Sequence, residues 1–268
     1  MNTQLIEVTY NLSTIVFRKF GHGKEVMLAF HGFSENGGSL LVLEPALGER
    51  FTVYAMDMPY HGRTIWKEEH HYCKNDLKLI VQALMKQEGF DSFSLLGFSM
   101  GGKNAMACTK LFPEMTRNLY LLASDGIKTK AVYNIAVYPS WGRYLFRMVV
   151  KNPGWFFGIL RMLNRIGILS PWLMKFTLNH MDTLEKRERL YNTWVSMAGF
   201  KISIKALKST LNQFSIPVWL VFGKRDEVIP PKVAHLFADG LEHVNIELID
   251  RGHYFIDEGL IPVLKELV

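Results

Sequence analysis

A glycine-rich segment near the middle of the chain reads Leu95-Leu96-Gly97-Phe98-Ser99-Met100-Gly101-Gly102. Its first residues are typical of a buried strand, and the residues that follow, 103–112, have a helical pattern. Gly-x-Ser-x-Gly between a strand and a helix permits a turn so tight that the Ser99 hydroxyl stands clear of the sheet. The helix N-terminus also favours a developing negative charge there. The segment therefore predicts that Ser99 is a nucleophile, with a glycine-rich packing turn as the alternative.

A serine hydroxyl needs a base to accept its proton, and that base needs an acid to orient it. His253 follows the last predicted strand, where a loop can return the ring to the carboxyl edge of the sheet. Asp226 lies after the preceding strand, so both side chains are expected at the same edge. Asp125 follows another strand and remains the alternative acid, with Glu227 and Asp250 as further possibilities.

An oxyanion formed on the substrate would need two backbone N–H donors. One should be Met100, the residue after the nucleophile, and the other Phe33, in the turn after the third predicted strand. His31 lies in the same turn, and we expect its side chain to be buried and hydrogen-bonded rather than catalytic.

Apolar runs alternate with helical patterns over most of the chain. This alternation predicts an α/β fold with a mostly parallel, doubly wound, eight-stranded sheet. The predicted strands cover residues 5–10, 14–20, 25–30, 51–56, 92–96, 118–122, 217–222 and 244–249.

The alternation is interrupted once, by about 85 residues of helical pattern. Asn152-Pro153 suits a helix start, and Asp182 with Glu185 has the spacing of a capping box. We therefore predict a core domain formed by residues 1–124 and 211–268, with a helical insertion at 125–210.

The overall composition is that of a globular protein, because 49% of the residues are hydrophobic and 21% are charged. The sequence has no apolar run long enough to cross a membrane, and its first residues do not resemble a signal peptide, so we expect a cytoplasmic protein. Cys73 and Cys108 are the only cysteines, and we expect them to be reduced. His70-His71 with Cys73 does not have the spacing of a metal site. We expect no metal and no other cofactor.

Five motifs together resemble the α/β-hydrolase superfamily, and the resemblance extends over about the whole chain. They are the His31-Gly32 turn, Asp57-x-Pro-x-His61-Gly62, the Ser99 elbow, the Asp226 loop and Gly252-His253. The resemblance implies that the helical insertion is a cap that roofs the active site. Epoxide hydrolases and haloalkane dehalogenases of this fold use an aspartate nucleophile, so Ser99 argues against both.

These observations predict a cap-bearing serine hydrolase that cleaves an ester or thioester through a Ser99–His253–Asp226 triad and an acyl-enzyme. Aromatic residues in the insertion, Trp141, Trp155 and Trp194 among them, favour a small-molecule substrate with a hydrophobic acyl part. The alternatives are a carbon–carbon bond hydrolase or lyase of the same fold, or a ligand receptor with low turnover.

The charge of the chain is concentrated in the insertion. Residues 126–210 contain 14 Lys and Arg against 3 Asp and Glu, whereas the whole chain has 31 against 25. Five of these cations recur every four residues on the predicted cap helices: Arg143, Arg147, Lys151, Arg161 and Arg165. They are either solvated charges or a face for an anionic partner, which would be an acidic acyl carrier or an anionic membrane surface. No nucleic-acid-binding module is recognisable, so nucleic acid is not an expected partner.

Overall fold

The computed structural model describes residues 3–129, 131–167 and 171–268. The chain divides into two compact units. The first unit, called the sheet unit here, is formed by Met1–Lys128 together with Phe200–Val268. The second, the helical unit, is formed by Thr129–Gly199.

Within the described residues, eight strands of the sheet unit form one sheet in the order β1-β2-β4-β3-β5-β6-β7-β8. The pairs β1–β2 and β2–β4 are antiparallel, and the other neighbouring strands are parallel. This arrangement confirms the predicted mostly parallel, eight-stranded fold. The strands are β1 (Gln4–Tyr10), β2 (Ser13–Phe20), β3 (Glu25–Phe30), β4 (Phe51–Asp57), β5 (Phe93–Phe98), β6 (Thr116–Leu122), β7 (Val218–Gly223) and β8 (Val244–Ile249).

The helices of the sheet unit connect consecutive strands or follow the last one. They are α1 (Glu44–Leu47), α2 (Lys74–Glu88), α3 (Gly101–Leu111), α9 (Ile204–Gln213), α10 (Lys232–Ala238) and α11 (Ile261–Leu267). The helical unit contains α4 (Ala131–Val137), α5 (Ser140–Lys151), α6 (Gly154–Arg165), α7 (Pro171–Met181) and α8 (Leu184–Ala198). No helix in the described part of the chain has both the length and the apolar run needed to span a bilayer.

Burial along the strands follows their position in the sheet. All six residues of the central strand β5 are buried, as expected for a parallel strand covered on both faces. Strand β1, at one edge, has the alternating pattern of a strand with one solvated face. The order places β5 beside β6 and β7 beside β8. The carboxyl ends of these four strands consequently meet at one edge of the sheet, where their connecting loops can bring side chains together.

The helical insertion is shorter in the structure than the range 125–210 expected from the sequence. Helix α9 belongs to the sheet unit because it packs against α3. Leu207 and Leu211 of α9 are buried, and Lys110 of α3 donates a hydrogen bond to Thr210 Oγ1 at 2.7 Å. These contacts place the end of the insertion before α9.

Candidate active site

Ser99 occupies a sharp turn between β5 and α3. Its backbone has a φ of +49°, in the left-handed region that side chains other than glycine rarely adopt. Two close approaches explain the glycines around it. A Cβ added at Gly101 would lie 2.1 Å from the Phe30 carbonyl oxygen, and one at Gly102 would lie 1.7 Å from Ser124 Oγ. The motif therefore permits a tight turn that presses the start of α3 against the end of β3.

The structure brings Ser99, His253 and Asp226 together, joined by two successive hydrogen bonds. Ser99 Oγ lies 2.9 Å from His253 Nε2, and His253 Nδ1 lies 2.7 Å from Asp226 Oδ2. The second carboxylate oxygen of Asp226 accepts hydrogen bonds from the Val228 and Ile229 N–H groups, both at 2.8 Å. These bonds hold the carboxylate in place, so that Nδ1 carries the imidazole proton and Nε2 is left to accept the Ser99 proton.

Two aromatic rings hold the imidazole of His253. The Phe98 ring stacks on it, with ring centroids 5.6 Å apart, and the Tyr254 ring meets it edge to face at 5.3 Å. His253 and Asp226 are both buried, whereas the Tyr254 side chain is 70% exposed. One aromatic surface beside the imidazole is therefore open to solvent.

The alternative acid, Asp125, makes different contacts. Its Oδ2 lies 2.9 Å from Lys103 Nζ, and its Oδ1 accepts a hydrogen bond from the Gly126 N–H at 2.7 Å. Both nitrogens of the His253 ring already face other groups, Ser99 and Asp226. Asp125 is thus not placed to orient the imidazole.

The two expected oxyanion donors lie in neighbouring loops. Met100 immediately precedes the first turn of α3, where backbone N–H groups point out of the helix. Phe33 follows Gly32, which lies close to the Phe98 ring, since a Cβ added at Gly32 would come within 3.0 Å of it. That ring is also the one that stacks on His253. The Gly32-Phe33 turn therefore lies beside the hydrogen-bonded side chains of Ser99, His253 and Asp226.

Glu35 is a site residue that sequence reasoning missed. Its Oε2 accepts hydrogen bonds from the Gly32 N–H and the Ser39 hydroxyl, both at 3.1 Å. Burial raises the pKa of the Glu35 carboxyl, while these two hydrogen bonds and the nearby His253 oppose the rise. The sequence did not indicate a role for Glu35, which is a single acidic residue in the polar turn Ser34-Glu35-Asn36. Its role depends on the fold, which brings it near His253.

The His31 side chain is fully buried and links two loops. Its Nε2 accepts a hydrogen bond from the Met58 N–H at 3.1 Å, and its Nδ1 lies 2.7 Å from the Gly32 carbonyl oxygen. Burial, the largest cause, holds the pKa of His31 well below its ordinary value. Neutral His31 therefore fixes the shape of the turn that carries Phe33. Its burial and its hydrogen bonds agree with the expectation from the sequence.

The cysteines and the His70-His71 pair show no reactive or metal-binding arrangement. Burial raises the pKa of the thiols of both Cys73 and Cys108, which disfavours their thiolate forms. His70 Nε2 lies 2.9 Å from Asp76 Oδ1. Within the described residues, no three His, Cys, Asp or Glu side chains lie close enough together to hold a metal ion.

The five cations of the predicted cap face lie in the helical unit. Arg143, Arg147 and Lys151 are on α5, and Arg161 and Arg165 are on α6. All five are exposed.

Comparison with known proteins agrees with this architecture. The family model described as the alpha/beta hydrolase fold matches residues 25–158, half of the chain. The uncharacterised hydrolase YugF of Bacillus subtilis is 21% identical over 247 residues, which cover 88% of this chain and 86% of that protein. The 2-hydroxy-6-oxononadienedioate/2-hydroxy-6-oxononatrienedioate hydrolase of Klebsiella pneumoniae is 24% identical over 251 residues, with 87% and 82% covered.

A solved structure shows the same fold. The naproxen esterase (carboxylesterase NP) of Bacillus subtilis superposes with a TM-score of 0.65 at 14% sequence identity, covering 99% of this chain and 90% of that one. The matched family model, the eight-stranded sheet and the elbow at Ser99 all indicate the same fold. The chain therefore belongs to the alpha/beta hydrolase fold family.

Proposed function

We propose that this protein is a serine hydrolase that cleaves an ester or thioester with a hydrophobic acyl part. One observation carries the proposal, the chain of two hydrogen bonds from Ser99 Oγ to His253 Nε2 and from His253 Nδ1 to Asp226 Oδ2. A hydroxyl, an imidazole and a carboxylate joined in this order form the arrangement that activates serine for acyl transfer.

In the first half-reaction, Ser99 Oγ attacks the acyl carbon while its proton passes to His253 Nε2. The carbonyl oxygen becomes an oxyanion, which the N–H groups of Phe33 and Met100 stabilise. When this intermediate collapses, the bond to the alcohol or thiol breaks. His253 returns the proton to that leaving group, and the acyl group stays on Ser99.

In the second half-reaction, a water molecule gives a proton to His253 Nε2 and attacks the acyl-enzyme. The bond to Ser99 Oγ breaks, Oγ takes the proton back, and the carboxylic acid leaves. Asp226 keeps the imidazole oriented in both halves and stabilises its cation when it forms.

The proposed preference for a hydrophobic acyl part rests on the surface beside His253. The exposed Tyr254 ring contacts the imidazole, with the ring centroids 5.3 Å apart. Aromatic surface next to the reacting atoms favours apolar substrate groups over small polar ones. We therefore expect an acetate ester to be a poorer substrate than esters of longer-chain or aromatic acids.

A fluorophosphonate label tests the nucleophile, since it reacts with an activated serine. We expect labelling of the wild-type chain and none of Ser99→Ala, with the modified peptide containing Ser99. A panel of p-nitrophenyl esters from acetate to longer acyl chains then tests the substrate class. Labelling and turnover that persist in a folded Ser99→Ala variant would refute the proposal. The highest kcat/KM on acetate would refute the acyl preference alone.

Carbon–carbon bond hydrolysis is a second candidate, which one comparison favours. The Klebsiella relative named above, 24% identical, is a 2-hydroxy-6-oxononadienedioate hydrolase. A substrate of that class belongs in the same panel. Faster turnover of it than of any ester would favour this candidate, and saturable binding of ligands with negligible turnover of both classes would favour a receptor.

A further inference from the structure

Helix α5 of the helical unit has a buried face and a separate exposed apolar face. The buried side chains include Phe146, Val149 and Val150. Trp141, Leu145 and Met148 face solvent and are 40% to 58% exposed. Their spacing of four and three residues places them on one side of the helix. The exposed apolar side chains therefore form a continuous stripe rather than scattered positions.

Helix α6, together with its C-cap residue Ile166, has a second exposed apolar stripe of the same kind. Trp155, Ile159, Met162 and Ile166 are spaced by four, three and four residues, and they are 44% to 60% exposed. Single exposed apolar residues are normal on protein surfaces, but aligned ones form a patch that normally has a binding role. The two stripes begin 14 residues apart, at Trp141 and Trp155.

The cations occupy the same positions beside each stripe. Arg147 and Lys151 lie six and ten residues after Trp141, and Arg161 and Arg165 lie six and ten residues after Trp155. At about 100° per residue these offsets place both cations of each helix at about 240° and 280° from the tryptophan, along one border of the stripe. Both helices thus have an apolar stripe with basic residues on the same flank.

The segment of the sequence that carries both stripes has charges of a single sign. Residues 126–181 contain 8 Lys and Arg and no Asp or Glu. Arg147 also donates a hydrogen bond to the Tyr191 hydroxyl at 3.0 Å, and its guanidinium lies over the ring of that residue. The helices therefore present a positive field next to exposed tryptophan and aliphatic side chains.

We propose that the α5–α6 surface, defined as the two stripes and their four flanking cations, binds an anionic lipid membrane and lies in the plane of its interface. Helices with an apolar face and a basic flank insert the apolar face between lipid headgroups, while the cations contact the phosphates. Tryptophan favours this interfacial depth, and the long Lys and Arg side chains can reach from the apolar boundary to the headgroups.

Two features favour a lipid surface over an acidic carrier protein. An anionic membrane is a field of one sign, which matches a segment of 56 residues without an acid. A protein partner would have to match the surface in shape as well as in charge, with its charged groups in a fixed arrangement. In addition, fluid lipid can cover long stripes of Trp, Ile and Met side chains without requiring a complementary shape.

The test is flotation of the 268-residue chain with vesicles of phosphatidylcholine alone or with about one-third phosphatidylglycerol. One variant removes charge, Arg161→Gln with Arg165→Gln, and a second removes apolar surface, Trp155→Ser with Met162→Ser. Matched controls change exposed residues of the sheet unit, Lys78→Gln with Lys265→Gln for charge and Leu12→Ser with Ile65→Ser for apolar surface. Circular dichroism and turnover of a soluble ester establish that each variant is folded.

We expect binding to the anionic vesicles only, weakening as salt is added, and at least about tenfold weaker in both α6 variants than in their controls. Equal binding to both vesicle types, or no binding to anionic ones, would overturn the proposal. So would equal binding by the variants and controls. Loss of binding to an acidic acyl carrier protein, with vesicle binding unchanged, would assign the surface to a protein partner instead.

Discussion

The Nζ atom of Lys103 lies 2.9 Å from Oδ2 of Asp125. Lys103 is on the first turns of α3, just after Ser99, and its side chain is almost completely buried. This ion pair engages the carboxylate that follows β6, whereas the carboxylate that follows β7, Asp226, contacts His253. The two acids that the sequence left as alternatives therefore have different partners.

Replacing each acid by its amide should separate their roles. We expect Asp226→Asn to lower kcat by about 10⁴-fold, the loss measured for a comparable triad substitution, because the imidazole loses its orienting carboxylate. Asp125→Asn should leave kcat within a few-fold and cost about 1–3 kcal/mol of unfolding free energy, since Lys103 loses its carboxylate partner. Steady-state kinetics and urea unfolding check both. The reverse pattern of kcat losses would make Asp125 the acid.

The backbone conformation at Ser99 predicts a difference in stability between two variants of this residue. Its φ of +49° is strained for a residue with a Cβ but not for glycine. Ser99→Gly should therefore be about 1 kcal/mol more stable than Ser99→Ala. Urea unfolding of both variants measures this difference directly. A more stable alanine variant would show that the elbow stores no such strain.

We expect substitutions of Glu35 to lower activity by an amount that depends on whether the new side chain can accept a hydrogen bond. Its carboxylate holds the Gly32 N–H, and the turn at Gly32 carries Phe33, the proposed oxyanion donor. Glu35→Ala should lower kcat by about tenfold with little change in KM, a fraction of the loss expected when an oxyanion donor is removed outright. Glu35→Gln keeps an acceptor oxygen and should recover most of the rate. Equal kcat for wild type and the alanine variant would show that the hydrogen bond does not position the turn.

The lowered pKa of buried His31 predicts that the stability of the protein depends on pH. Its folded-state pKa is well below 6.5, so in acid the unfolded chain takes up a proton that the folded chain does not. Stability should therefore be fully present above about pH 6.5 and fall below it, by up to about 1.4 kcal/mol per pH unit from this residue. In His31→Asn this contribution is absent, and the stability gap between wild type and variant should shrink on acidification.

Urea unfolding of both proteins between about pH 5 and pH 8 measures that gap. The histidines that do not contact His31 are common to the two proteins, so their contributions cancel in the difference. His61, whose ring centroid lies 5.2 Å from that of His31, also contributes to the measured gap. A gap that stays constant over the whole range would mean that His31 can be protonated in the folded protein.

Features encoded over a few consecutive residues were predictable from the sequence. The elbow at Ser99 follows from Gly101 and Gly102, whose lack of a Cβ permits α3 to approach Phe30 and Ser124 closely. The strands follow from runs of apolar residues, because a parallel strand buried on both faces has few polar positions. The expectation that Ser99, Asp226 and His253 would converge used only the ends of these strands and the way parallel strands align their carboxyl ends.

Only the tertiary structure decided which distant groups contact one another. Lys103 on α3 pairs with Asp125 after β6, and Glu35 lies near His253, which is far from it in the sequence. Helix α9 packs on α3 rather than with the helices that precede it. Local propensity and hydrophobic spacing determine where an element forms and which face it buries. They do not determine which buried charge meets which partner, because that depends on the packing of segments far apart in the chain.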